Sequence, residues 1–162
     1  MKRAILLLGS NLGNKHLIVH EALNQLSLKC GSIVVKSKNY SSEPWGFEAE
    51  SHFINMAVEI KTDLEPHVLL EQILKIESEM GRTRVNDGKY HSREIDIDII
   101  FYGNRVIETE SLIIPHPKMH LRRFVLLPVN EIAPDFIHPV LKSSVANILE
   151  ECTDNSLVKV LS

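Results

Sequence analysis

Two carboxylates separated by one residue in an otherwise apolar run mark the segment of this chain best suited to chemistry: Arg93-Glu94-Ile95-Asp96-Ile97-Asp98-Ile99-Ile100. In a strand, alternate side chains share a face, so Asp96 and Asp98 project together while Ile95, Ile97 and Ile99 turn to the opposite layer. Their Cα atoms would lie about 7 Å apart, at a rise of about 3.4 Å per residue. Two such carboxylates repel unless a cation lies between them, and hard oxygen donors suit Mg²⁺ shared with substrate phosphates. A solvated polar face on an edge strand has the same pattern, so the flanking residues must decide.

Residues 81–93 lead into the pair and carry Arg82, Arg84, Lys89 and Arg93 against one acidic residue, Asp87. Guanidinium groups offer planar bidentate donors to phosphate and neutralise charge on a departing phosphate group. A merely solvated basic loop is the alternative; the position directly ahead of the aspartates favours phosphate. Further on, Pro115-His116-Pro117-Lys118-Met119-His120-Leu121-Arg122-Arg123-Phe124 joins proline turns to imidazole, guanidinium and an aromatic ring. Taken alone, His116 serves equally well as a loop brace and Phe124 as core. Glu77 lies one helical turn beyond Ile73, inside an apolar stripe, and so requires a partner, either a loop arginine or the nucleotide. Gly9-Ser10-Asn11-Leu12-Gly13-Asn14 follows a strand and opens a helix, but without a Gly-Lys-Ser/Thr ending it is a tight turn rather than a Walker A loop. The eight histidines lack the close pairings of a zinc site.

The elements that must position these residues are legible from pattern. Ile5-Leu6-Leu7-Leu8 reads as a buried strand, and residues 16–28 as the helix after it. Residues 33–40 and 53–61 read as strands joined by a long loop, residues 64–80 as a helix stopped by Gly81, and residues 94–102 as a further strand. The order strand, helix, strand, strand, helix, strand matches a ferredoxin-like βαββαβ core, an α+β fold. Helices over 122–132 and 144–151 and a strand over 157–161 add C-terminal decoration.

The 162 residues, 44% hydrophobic, predict a single domain spanning 1–162. A net charge of -3 with 18 basic and 21 acidic residues gives no general nucleic-acid or membrane-surface binder. Cys30 and Cys152 have no CxxC spacing, and the run Ala4 to Leu8 is too short for a signal-peptide core. A cytoplasmic monomer is the expectation.

Together, Gly9-Ser10-Asn11-Leu12, Phe53-Ile54-Asn55-Met56-Ala57, Glu77 with Gly81-Arg82-Thr83-Arg84, the Asp96/Asp98 strand, and Pro115-His116 with Arg122 and Phe124 resemble the 6-hydroxymethyl-7,8-dihydropterin pyrophosphokinases of folate biosynthesis, in order and approximate spacing to about Pro134. The resemblance implies transfer of pyrophosphate from ATP to the pterin hydroxymethyl group, with release of AMP. It implies that Asp96 and Asp98 bind two Mg²⁺ ions, and that Arg82, Arg84 and Arg93 act on the triphosphate as catalytic residues. Glu77, Tyr90, Ile99, His116 and Arg122 would join Arg84 and Arg93 around ATP. Ser42, Pro44, Trp45, Phe53, Asn55, Asp96 and Phe124 would hold the pterin, with Asn55 reading the ring edge and Phe124 stacking on its face. Tyr90 stands where many relatives carry tryptophan. The rival readings are another Mg²⁺-dependent phosphoryl or nucleotidyl transferase, which needs neither Asn55 nor Phe124, and a ferredoxin-like binding module, which needs no paired carboxylates opposite arginines.

Overall fold

Ala4 to Ser10 are buried without interruption because the strand they belong to, β1 (Lys2–Ser10), has a helical layer on each side. The computed structural model describes residues 1–11, 14–42, 53–81 and 95–161. Ala4, Leu6 and Leu8 enter one core and Ile5 and Leu7 the other, so a single apolar run serves both faces. Helix α1 (Lys15–Lys29) starts at Asn14, whose side chain accepts from the Leu17 amide at 3.3 Å, and buries Val19, Ala22, Leu23 and Leu26. It ends against Gly31, where a Cβ would stand 2.0 Å from the Lys61 carbonyl oxygen, so only glycine fits.

The next strands are β2 (Ser32–Lys36), β3 (Asn39–Ser42) and β4 (Phe53–Thr62). Residues 33–40, expected as one strand, are therefore two. Ser37 causes the break. Its hydroxyl accepts from the Ala57 amide at 2.9 Å and donates to the Lys38 carbonyl at 2.7 Å, while the Lys38 amide leaves the ladder for the Glu131 carboxylate. Helix α2 (Pro66–Glu79) begins with Pro66, whose fixed φ suits the first turn, and buries Leu69, Ile73, Ile76 and Glu77 on one stripe. Strand β5 (Asp96–Tyr102) follows residues 82–94.

The sheet order is β5-β1-β4-β3, with β2 also on β4, and every pairing is antiparallel. That is the ferredoxin-like arrangement expected from the sequence: each helix links two parallel strands with one antiparallel strand between them. Helices α1 and α2 cover one face. A short hairpin of β6 (Ile107–Glu108) and β7 (Ile113–Ile114), which pattern did not reveal, leads to a 3₁₀ turn at Met119–Leu121. Helices α3 (Arg123–Ile132) and α4 (Val145–Glu151) then cover the second face through Val125, Leu126, Val129, Val145 and Ile148. Strand β8 (Val158–Leu161) pairs with β3 and closes the sheet. The C-terminal helices and strand lie where the sequence placed them. Among the described residues no helix is long and apolar enough to cross a membrane.

Candidate active site

Register assembles the site. Gly9 on β1 pairs with Asp96 on β5 and with Asn55 on β4, and Asn55 pairs with Tyr40 on β3. Residues directly opposite one another point to the same face, so this row presents Asn55, Gly9 and Asp96 side by side. With neighbouring strands about 4.8 Å apart, the Cα atoms of Asn55 and Asp96 are roughly 10 Å from one another. Asp98 lies one row further along, opposite Leu7. Ile95, Ile97 and Ile99 are buried in the α1/α2 core, so Asp96 and Asp98 share the other face, as alternation required. A bulge between Ile5 and Leu6 then lets Ile100 and Phe101 both enter the α3/α4 core beside them.

Asn55 is buried and donates through Nδ2 to the Ser42 hydroxyl at 2.9 Å. Its Oδ1 is turned toward Gly9, 3.0 Å from the place a Cβ would take there. Gly9 is thus a notch between an amide and a carboxylate. Phe53 borders it, opposite Ser42 across the β3/β4 pair.

The connection from β7 to α3 supplies the remaining side chains. The His116 amide donates to the Ile100 carbonyl at 3.0 Å, which fastens the Pro115-His116 turn to β5 two residues beyond Asp98. The His116 Nδ1 accepts from the Lys118 amide at 3.2 Å, so in the neutral ring Nε2 carries the proton. Burial lowers the His116 pKa, as do the charges of Arg122 and Lys118; the Asp96 carboxylate opposes them. A neutral imidazole with its proton on Nε2 therefore stands within the fields of Asp96 and Arg122. The Arg122 guanidinium carbon is 5.7 Å from the Phe124 ring centroid, which holds the cation over the aromatic face.

The structure thus gathers Asp96, Asp98, Asn55, Ser42, Phe53, His116, Arg122 and Phe124 around one end of the sheet. It places two other expected site residues elsewhere. Ile99 is in the α1/α2 core, on the face opposite the carboxylates. Glu77, 2% exposed, accepts from the Ile97 amide at 2.9 Å, so its carboxylate braces the backbone midway between the two aspartates. Pro44, Trp45, Arg82, Arg84, Tyr90 and Arg93 lie outside the described residues. Sequence reading gave Gly9 no role between Asn55 and Asp96, because that role arises from pairing between distant strands. It also missed the Ser42–Asn55 hydrogen bond and a carboxylate, Asp154, on the amide of Arg123. Within Thr153-Asp154-Asn155-Ser156 that residue has only the signature of a turn.

Hard oxygen donors on one face suit a cation such as Mg²⁺. Among the described residues no group of three or more His, Cys, Asp or Glu could hold a metal. A cation at Asp96 and Asp98 therefore needs further ligands from elsewhere, as a phosphate-bearing substrate would provide.

Comparison with known proteins shows the family. Residues 5–134 match the family model of 7,8-dihydro-6-hydroxymethylpterin-pyrophosphokinase (HPPK). The 2-amino-4-hydroxy-6-hydroxymethyldihydropteridine pyrophosphokinase of Haemophilus influenzae is 35% identical over 161 residues, which cover 99% of both chains. The folic acid synthesis protein fol1 of Pneumocystis carinii is 40% identical over 154 residues, 95% of this chain but only 20% of that much longer protein. A crystal structure of Plasmodium falciparum HPPK-DHPS superposes with a TM-score of 0.75 at 19% identity, covering 93% of this chain and 43% of that one, and so supports the fold. The chain belongs to the 7,8-dihydro-6-hydroxymethylpterin-pyrophosphokinase family.

Proposed function

We propose that the chain transfers the terminal pyrophosphate of ATP to the hydroxymethyl oxygen of 6-hydroxymethyl-7,8-dihydropterin, releasing AMP, at the Asn55–Gly9–Asp96 row. That row carries the reading: it sets an amide able to recognise a heterocycle edge on the same sheet face as the paired carboxylates a triphosphate requires. The notch at Gly9 leaves the space between them to the substrate.

The pterin edge would hydrogen-bond to Asn55, whose amide Ser42 holds, and the ring would stack on Phe124, with Phe53 and residues Pro44 and Trp45 beside it. This points the hydroxymethyl group toward Asp96. The reaction is an in-line displacement at the β-phosphorus: the substrate oxygen forms the new bond as the bond from phosphorus to the AMP oxygen breaks. Asp96, the nearer carboxylate in the row, would assist loss of the hydroxyl proton, directly or through the charge of a cation it holds. His116, Arg122 and, among residues outside the described ones, Arg82, Arg84 and Arg93 would bind the triphosphate and meet charge developing toward AMP. Tyr90 would serve the nucleoside, and Ile99, its side chain being in the α1/α2 core, could do so only through backbone on the outer edge of β5. Two Mg²⁺ ions held by Asp96 and Asp98 with the phosphates would supply charge neutralisation when bound.

The test is AMP release from Mg·ATP by the purified chain, with and without the pterin, beside an Asp96→Ala/Asp98→Ala variant. Pterin-dependent AMP release, lowered at least 1,000-fold in the variant, about 4 kcal/mol in the barrier, is expected. ADP as product would indicate an ordinary kinase and overturn the proposal.

A further inference from the structure

Helix α3 presents two of the site's side chains from an end that does not cap itself. Arg122 occupies its N-cap position and Phe124 its first turn. An arginine cannot accept from the orphan amides of a helix start, and no side chain of α3 does so. The acceptor comes from beyond α4. Asp154 Oδ2 takes the Arg123 amide at 2.8 Å, between the two site residues, and Asp154 Oδ1 takes the Ser156 amide at 2.9 Å. A carboxylate at that helix end also complements the helix dipole. Burial alone would raise the Asp154 pKa; the amides of Arg123 and Ser156 and the nearby Arg123 charge outweigh it and hold the group below its ordinary value, so it is ionised at neutral pH.

The chain then runs directly to the other wall of the site. Val158, which opens β8, pairs with Ser42 on β3, and Ser42 accepts the Asn55 amide. Residues 154–158 therefore join the start of α3 to the strand that orients Asn55. They lie outside the 5–134 stretch that carries the family match.

We propose that Asp154 is a positioning residue for the pterin: by fixing the first turn of α3 and continuing into β8, it sets the distance between Phe124 and Asn55. This rests on the reading of Phe124 and Asn55 as the two pterin walls. A slack first turn of α3 leaves both walls present and their spacing undefined, so the larger loss should fall on pterin binding, with a smaller one on ATP through the neighbouring Arg122.

The experiment measures KM for pterin and for ATP, kcat and Tm in the full chain for Asp154→Ala, Asp154→Glu, Ser144→Ala and Phe124→Ala. Ser144 caps α4 through the Asn147 amide, away from the site, and serves as a control for loss of a helix cap. Asp154→Ala is expected to raise the pterin KM at least tenfold and the ATP KM by less than half that factor, since only Arg122 of the triphosphate ligands sits on the loosened turn. Asp154→Glu keeps the charge but displaces the oxygens by one methylene, and is expected to raise the pterin KM at least threefold. Ser144→Ala should lower Tm and leave both KM values unchanged. An unchanged pterin KM in Asp154→Glu, or in a folded Asp154→Ala, overturns the proposal, as does the same KM rise in Ser144→Ala. An unchanged pterin KM in Phe124→Ala would instead remove the reading of the walls, whatever Asp154 does.

Discussion

At Gly9 the constraint on the site comes down to a single missing atom. A Cβ there would sit 3.0 Å from Asn55 Oδ1, closer than that amide tolerates without turning, and turning it would break its hydrogen bond to Ser42. The colliding group is the end of a side chain rather than backbone, so the fold can yield at a cost of about 1–3 kcal/mol. Recognition cannot yield in the same way. Gly9→Ala is expected to raise the pterin KM about tenfold or more, about 1.4 kcal/mol, with ATP binding unaltered; titration of each ligand into the variant checks this. Equal weakening of both ligands would show that the notch serves the whole site. The contrast with Asp96 and Asp98 shows what a sequence discloses at this scale. Their common face follows from local alternation, whereas the duty of Gly9 depends on β4 and β5 being its neighbours, which no local pattern states. Asp154 escaped notice for the same reason.

The elements were legible wherever one apolar period ran unbroken, as in β1, α2 and β5, and illegible where a side chain replaced a backbone partner. The break between β2 and β3 is such a place: Ser37 takes over a position in the ladder and Glu131, from the last turn of α3, receives the freed Lys38 amide. Glu131 also accepts the Tyr40 hydroxyl at 2.7 Å, so one carboxylate fastens α3 to the break and to the row that contains Asn55. Burial, followed by the hydrogen bond to Glu131 and its charge, pushes the Tyr40 phenol up to about 12. Because the folded-state value is raised, the stabilisation is complete below the ordinary tyrosine range and is lost as pH rises through about 12. Glu131→Ala is expected to lose about 1–3 kcal/mol by leaving two donors without their acceptor. The exposed Glu151→Ala should stay within about 0.5 kcal/mol. Urea unfolding at neutral pH measures both, and equal midpoints for the two variants would show that the fastening contributes nothing.

For the molecule as a whole, the sheet is a partition between two cores, and they differ in how far they depend on the chain beyond residue 134. The buried residues of the α1/α2 core all precede 115, with only the partly buried Leu161 added from β8, whereas the α3/α4 core includes the buried Val145 and Ile148 of α4 beside Ile5, Leu7, Phe101 and Val129. Fully burying two such side chains contributes about 1.5–3 kcal/mol each, to be set against a net stability of about 5–15 kcal/mol for an ordinary domain. Ending the chain after residue 134 would remove that burial, the β8 pairing with β3 and the Asp154 cap on α3 together. The truncated chain should therefore lose several kcal/mol. It should also lose pterin binding more completely than the burial alone would explain, because Phe124 and Asn55 would no longer be tied through one segment. Urea unfolding followed by circular dichroism, beside pterin titration under folding conditions, separates the two effects. A truncated chain with an unchanged midpoint would mean that α3 closes the second core unaided. One with a lowered midpoint but intact pterin affinity would mean that the walls keep their spacing without the C-terminal segment.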